Sequence, residues 1–334
     1  MDTDPLTVGI VGAGLIAGVH ARAYRSCPGV RVAAVADPVT AKAQRLAEDH
    51  EARPVPGLDD LLDLGVDVVD VCTPPPHHAG VAVAALEAGR HVFCEKPLAR
   101  TLADARAIVA AGKSAAGLLM VGHVSRFEPD HRGAKTLVEG GEIGSVRLVT
   151  HSTASALPGW SEAGWIADPE QSGGPLVDQA VHSFDYARWV VGSPAVRVTC
   201  AAADSGAGPA TYTLSTVRYA NGAIAHVESS WAHPPARGFK LACELVGTEG
   251  RLTWSYDHMM GGVLHPASGD TEWFDVLGER GFSAEARAFT DAIRSGAPSP
   301  VPAAEAMESL HTALGALESA RIGESVDLTT WERP

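Results

Sequence analysis

The sequence predicts two domains. Residues 1–122 form an α/β domain on a doubly wound parallel sheet, and residues 123–334 form an α+β domain on a largely antiparallel open sheet. Three observations predict this. Up to Gly122, short apolar runs alternate with helix-length segments, the pattern of strands joined by crossover helices. The first run ends in Gly12-Ala13-Gly14-Leu15-Ile16-Ala17-Gly18, a Gly-x-Gly-x-x-Ala turn that opens a helix. Beyond His123 the texture changes to Val- and Thr-rich segments divided by turn signals such as Asn221-Gly222.

Leu6 to Val11 reads as the first strand, Leu15 to Cys27 as a helix stopped by Pro28-Gly29, and Val30 to Ala36 as a second strand closed by Asp37-Pro38. Strand, glycine turn, helix, strand and acid, in that order, make a dinucleotide-binding (Rossmann) unit. Gly12 permits the tight turn and Gly14 lets the backbone approach a pyrophosphate, while Ala17 keeps helix and strand close. The helix start at Leu15 and Ile16 offers unpaired N–H groups to the phosphates. Asp37 is placed to accept hydrogen bonds from ribose hydroxyls. Its charge opposes a 2′-phosphate, so NAD is favoured over NADP; the other reading of Asp37 is a turn residue before Pro38.

The alternation continues. Val66 to Cys72 is a strand running into the rigid Thr73-Pro74-Pro75-Pro76-His77-His78 loop, and a helix follows to Ala88. His91 to Cys94 is a strand leading into Glu95-Lys96-Pro97. Thr101 and Asp104 form a capping box opening the helix Leu102 to Ala116, and Leu118 to Gly122 is one more strand. Ligands of parallel sheets bind at the carboxyl ends of strands. Gly12, Asp37, Thr73-Pro74 and Glu95-Lys96-Pro97 are therefore expected in one crevice. His78 either binds the cofactor or caps a helix.

In the second domain a helical piece, Pro129 to Glu139, precedes six strand-like segments: Val146–Ser152, Val196–Ala202, Thr211–Tyr219, Ala223–Trp231, Phe239–Val246 and Arg251–Tyr256. Gly173-Gly174-Pro175 leads into a covering helix whose apolar stripe is Val177, Ala180, Val181, Phe184, Ala187 and Val191. On the same helix Asp178, His182 and Asp185, at i, i+4 and i+7, form a second, titratable stripe. That stripe is either a solvated face or a site. Two late helices, Ser283 to Arg294 and Ala303 to Arg321, are expected to pack near the first domain.

A net charge of −14 and a pI near 5.4 argue against nucleic acid or an anionic membrane as partner. No apolar run reaches the length of a membrane span, and the acidic start lacks the marks of a signal peptide. Five scattered cysteines without a Cys-x-x-Cys pair fit a reducing cytoplasm and no metal site.

With Gly12-x-Gly14-x-x-Ala17, Glu95-Lys96-Pro97 and Gly173-Gly174 ahead of Asp178-x-x-x-His182, the chain resembles the Gfo/Idh/MocA oxidoreductases over nearly its whole length. Thr73-Pro74 with His78, Ala84 to Val92, and Arg126-Phe127 with Pro129 share the resemblance. It implies a cytoplasmic NAD(P)-dependent dehydrogenase of sugars, cyclitols or related polyols. It further implies a homo-oligomer, dimer or tetramer, assembled through the second-domain sheet. By the same resemblance Lys96 would touch the reacting hydroxyl, and Asp178 and His182 would complete the catalytic group. Asp185 would hold a neighbouring substrate hydroxyl. Neutral histidine suits proton removal near pH 7, and an ammonium beside the same oxygen stabilises developing alkoxide. His182 is the preferred base, with Lys96 the other candidate. Arg126 and Trp165, with Trp160, Trp231 and His233, are candidates for the substrate pocket. Ala154-Ser155-Ala156 stands where inositol dehydrogenases carry polar residues, which points away from inositol itself. The alternatives are a glycoside hydrolase that retains its NAD and a non-catalytic NAD-binding regulator.

Overall fold

Five apolar segments in the first part of the chain, buried along most of their length, pair in parallel, and a three-residue edge strand joins them. The computed structural model describes residues 5–159, 162–203, 212–234, 236, 238–256, 262–266, 272–274 and 279–332. These form two compact units, Met1–Val124 with Trp160–Trp165 and Arg280–Met307, and Ser125–Gly159 with Ile166–Glu279 and Glu308–Pro334. The chain thus returns to the first unit late in its course instead of leaving it once.

The first unit runs β1 (Leu6–Val11), α1 (Leu15–Arg25), β2 (Val30–Ala36), α2 (Thr40–Asp49), β3 (Arg53–Val55), α3 (Leu58–Asp63) and β4 (Val68–Val71). It continues with α4 (His78–Glu87), β5 (His91–Glu95), α5 (Leu102–Ser114) and β6 (Leu119–Gly122). The sheet order is β3-β2-β1-β4-β5-β6, and every pairing is parallel. That order reverses at β1–β4, the position where such sheets open a ligand crevice. The segment 40–63 supplies a helix, a three-residue edge strand and a short helix, elements too short or too polar to stand out in the sequence. Thr101 caps α5 by accepting from the Asp104 N–H at 3.1 Å, as the capping box predicts.

The second unit contains α6 (Pro129–Gly140), β7 (Val146–Ala154), α7 (Pro169–Ser172), α8 (Ala180–Val191), β8 (Ala195–Ala203), β9 (Tyr212–Tyr219), β10 (Ile224–Ser230), β11 (Lys240–Gly247) and β12 (Gly250–Ser255). Two further strands, β13 (Gly262–Pro266) and β14 (Glu272–Phe274), extend it. Late in the chain, α9 (Gly281–Ser295) packs on α1, and α10 (Ala303–Ile322) precedes β15 (Val326–Asp327). The nine strands run β14-β13-β12-β11-β7-β10-β9-β8-β15, antiparallel except for β10 on β7. Burial alternates along β9: Thr213, Ser215, Val217 and Tyr219 are buried, while Tyr212, Leu214 and Arg218 are exposed. One face is covered by α8, which buries Val181, Phe184, Ala187 and Val190; each large apolar side chain so hidden contributes roughly 1.5–3 kcal/mol.

Candidate active site

In the first unit the register of the parallel sheet sets the site. Val11 lies opposite Ala36 and Val71, and Val71 opposite Cys94, so Gly12, Asp37, Cys72-Thr73 and Glu95-Lys96 follow at adjacent carboxyl ends. Gly12 has φ +96°, and a Cβ there would meet the Cys72 carbonyl oxygen at 2.7 Å, so only glycine fits the turn. A Cβ on exposed Gly14 would meet nothing within 4 Å, which leaves its backbone open to a pyrophosphate at the start of α1 beside Leu15 and Ile16. Ala17, by contrast, is fully buried and lets α1 sit close to the sheet.

Asp37 is half-buried. It accepts the Ala13 N–H at 2.9 Å and the Val39 N–H at 2.8 Å, which ties the acid to the glycine turn. The Oγ1 of Thr73, beside half-buried Pro74, is buried and meets no hydrogen-bond partner among the described residues. An orphaned hydroxyl, an open glycine and an anchored acid along one strand-end edge fit a dinucleotide.

His78 is held between two backbone carbonyls. Its ring is buried, with Nδ1 3.0 Å from the Pro97 carbonyl and Nε2 2.8 Å from the Thr73 carbonyl. Burial lowers its pKa, and the neutral ring has one N–H to donate, so the tautomer decides which contact is the hydrogen bond. His78 ties the Thr73 loop to the Glu95-Lys96-Pro97 segment.

In the second unit the Gly173-Gly174 bend is sharp because both glycines have positive φ, 77° and 66°. Pro175–Gln179 then form a π-helical turn, and regular α8 begins at Ala180. Asp178 lies in the π-helical turn, while His182 and Asp185, three residues apart, share one side of regular α8. Asp178 is 8% exposed, His182 half-buried and Asp185 0% exposed.

Asp185 and Arg126, both expected to line the substrate pocket, are joined to each other. Arg126 Nε donates to Asp185 Oδ2 at 2.7 Å and Nη2 to Oδ1 at 2.8 Å, and the Ser309 hydroxyl donates to Oδ1 at 3.1 Å. The Arg126 guanidinium also sits 5.5 Å from the centroid of the Trp189 ring. This buried fork fixes the segment Val124–Phe127 to α8. Trp165 is half-buried in the short 3₁₀ stretch Glu162–Ala167; Trp231 is buried and His233 half-buried, while Trp160 lies outside the described residues.

The sequence reading passed over a buried group behind the strand ends, His20 with Asp70 and Glu95. The signal was present: an acid inside the apolar strand Val68-Val69-Asp70-Val71, and a histidine on the Ala17-His20-Ala21-Tyr24 stripe of α1. Each is costly unless the other is its partner.

Comparison with known proteins follows the geometry. Residues 6–123 match the family described as "Oxidoreductase family, NAD-binding Rossmann fold", and residues 131–253 match the "GFO/IDH/MocA C-terminal domain". The chain is 35% identical to inositol 2-dehydrogenase 1 of Saccharopolyspora erythraea over 259 residues, covering 74% of this chain and 73% of that protein. It is 26% identical to the scyllo-inositol 2-dehydrogenase (NAD(+)) of Bacillus subtilis, covering 96% and 95%. A levoglucosan dehydrogenase solved with NADH and levoglucosan superposes with a TM-score of 0.88 at 25% identity, covering 97% of this chain and 99% of that one.

Proposed function

The chain belongs to the GFO/IDH/MocA oxidoreductase family, and from that premise we propose that it is an NAD-dependent dehydrogenase acting on a sugar, cyclitol or related polyol. The observation that carries this reading is the gathering of Gly12, Asp37, Thr73 and Lys96 at neighbouring carboxyl ends of one parallel sheet. When bound, NAD supplies the hydride acceptor for a secondary alcohol, or as NADH the donor for a ketone. The Gly12–Ala17 turn would hold the pyrophosphate. Asp37, already anchored by two backbone N–H groups, would take the ribose hydroxyls and repel a 2′-phosphate.

Lys96 presents its ammonium to the reacting oxygen and stabilises negative charge there, and His182 removes the hydroxyl proton. Asp178 completes the catalytic group, the role that the family resemblance implies for it. Arg126 and Asp185 act by holding α8 in place. The similar proteins named above are dehydrogenases of inositols and levoglucosan, which supports this substrate class and lends nothing to a glycoside hydrolase or a purely regulatory NAD-binding protein. Assembly through the open face of the second sheet is part of the proposal, supported by exposed Tyr212 and Leu214. All five cysteines are buried and none is in a disulfide, which supports a cytoplasmic location, and among the described residues no helix is long and apolar enough to cross a membrane.

The test is steady-state oxidation of a panel of hexoses, inositols and their derivatives with NAD and with NADP. NADH formation is expected with NAD, and Lys96→Ala is expected to lower kcat/KM by about 10³-fold. NAD binding without turnover of any member of the panel would overturn the reading.

A further inference from the structure

Behind the strand ends, the imidazole of His20 lies between two buried carboxylates. Nδ1 is 2.9 Å from Asp70 Oδ2 and 3.2 Å from Oδ1, and Nε2 is 3.0 Å from Glu95 Oε1. The Nε2 contact is an ion pair set off the hydrogen-bonding axis, since Nε2 has no aligned acceptor. The ring is held edge-on to Phe93 at 5.2 Å and tilted against Phe282 at 5.8 Å. The Cys72 thiol completes the group, 3.5 Å from Nδ1 and 3.4 Å from Asp70 Oδ1.

From this geometry we infer that His20 is a positioning residue for Lys96: it grips Glu95 and thereby fixes how the end of β5 presents the lysine. The inference rests on the proposed role of Lys96. While Glu95 Oε1 faces His20, Oε2 accepts the backbone N–H of Lys96 at 2.9 Å, so one carboxylate carries the restraint from ring to lysine backbone. Room for that carboxylate comes from Gly122 opposite on β6, where a Cβ would stand 3.1 Å from Oε1. The charges agree. Burial works against the cation on His20, but Asp70 and Cys72 outweigh it and raise the pKa well above its ordinary value. Burial likewise works against the Glu95 anion, and His20, then Lys96, hold its pKa below the ordinary carboxylate range. Because His20 sits on α1, one helix ties the glycine turn at its start to the lysine-bearing strand behind it.

Two isosteres separate this from a plain packing role. Asparagine replaces the Nδ1 side of the ring and keeps the Asp70 contact, whereas glutamine reaches as Nε2 does and keeps the Glu95 contact. In the whole chain with NAD, His20→Asn is expected to lower kcat about 10- to 100-fold with KM for NAD nearly unchanged, and His20→Gln about tenfold less than that. Combining His20→Asn with Lys96→Ala should cost no more than Lys96→Ala alone. A second readout needs no turnover. The rate of Lys96 acetylation by acetic anhydride, followed by peptide mass mapping with exposed Lys113 as internal reference, should change at least about threefold in His20→Asn and less in His20→Gln. Equal losses in both variants that track their unfolding midpoints, or an unchanged Lys96 acetylation rate, would overturn the inference. If the wild type turns over nothing, the dehydrogenase reading fails, and the acetylation rates still decide the role of His20.

Discussion

His20 in the first unit and the His131–His151 pair in the second are equally hidden from water, at 4%, 1% and 1% exposure. Their neighbours differ. His20 faces two carboxylates, whereas His131 and His151 face each other, Nε2 to Nε2 at 3.3 Å, among Tyr186 and Trp254. Burial depresses His131 well below its ordinary pKa, reinforced by His151, and pushes His151 down to about 4. In the first unit the same burial is overridden, and the ring stays charged. Hiding a histidine therefore does not settle its charge; the partner does. The charged cluster lies one residue from Lys96 and the neutral one lies in the core of the second unit, so the cost of a buried ion is met where it can orient a functional group.

The most severe way to break this comparison is to remove the partner of a buried ion. Arg126→Met removes both guanidinium hydrogen bonds from buried Asp185, and should cost about 3–5 kcal/mol in urea unfolding. Arg126→Met with Asp185→Leu should recover part of that loss. A double variant as unstable as the single one would mean that packing, not pairing, is what matters here.

An intermediate test is pH. His151 titrates near 4 folded and near 6.5 unfolded, so between those values the unfolded chain binds more protons and stability falls as pH falls. The full loss from this residue is about 3 kcal/mol, much of it reached by pH 5. His20 has the opposite sign. Its contribution is complete below its unfolded pKa and lost only as pH rises through its raised folded value. The drop in unfolding midpoint from pH 7 to pH 5 should therefore be smaller in His151→Phe, with His131 and His78 still contributing in the same direction; an acid limb as steep as in the wild type would remove His151 from the account.

The smallest effect sharpens the rule from outside. Arg321 forks onto Glu318 at 2.6 and 2.9 Å on the exposed side of α10. Water screens that pair, so Arg321→Ala should leave the unfolding midpoint unchanged despite the good geometry. A clear drop would show that pairing counts here without burial.

Much of the site could be read directly from the chain because it depends on local chemistry. The Gly12 turn, Asp37, the Thr73 loop and Lys96 follow from strand ends and turn residues, and a parallel sheet brings strand ends together by its connectivity alone. The fork between Arg126 and Asp185 could not be read so: the two lie 59 positions apart, and helical spacing shows only that Asp185 shares a side of α8 with His182. The ring contacts of His78 are non-local in the same way: nothing in Thr73-Pro74-Pro75-Pro76-His77-His78 shows that its ring reaches the Pro97 carbonyl.

Periodicity and turn chemistry, both local, were enough to determine the central strands of the two sheets, though not the edge strands β3, β13, β14 and β15, together with the glycine turn and the identity of the titratable residues. The charge each buried group carries and whether an acid faces a ligand or an arginine were decided only in the tertiary structure. Those properties depend on distances of about 3 Å between groups that the chain brings in from far apart, and on how little water remains around them.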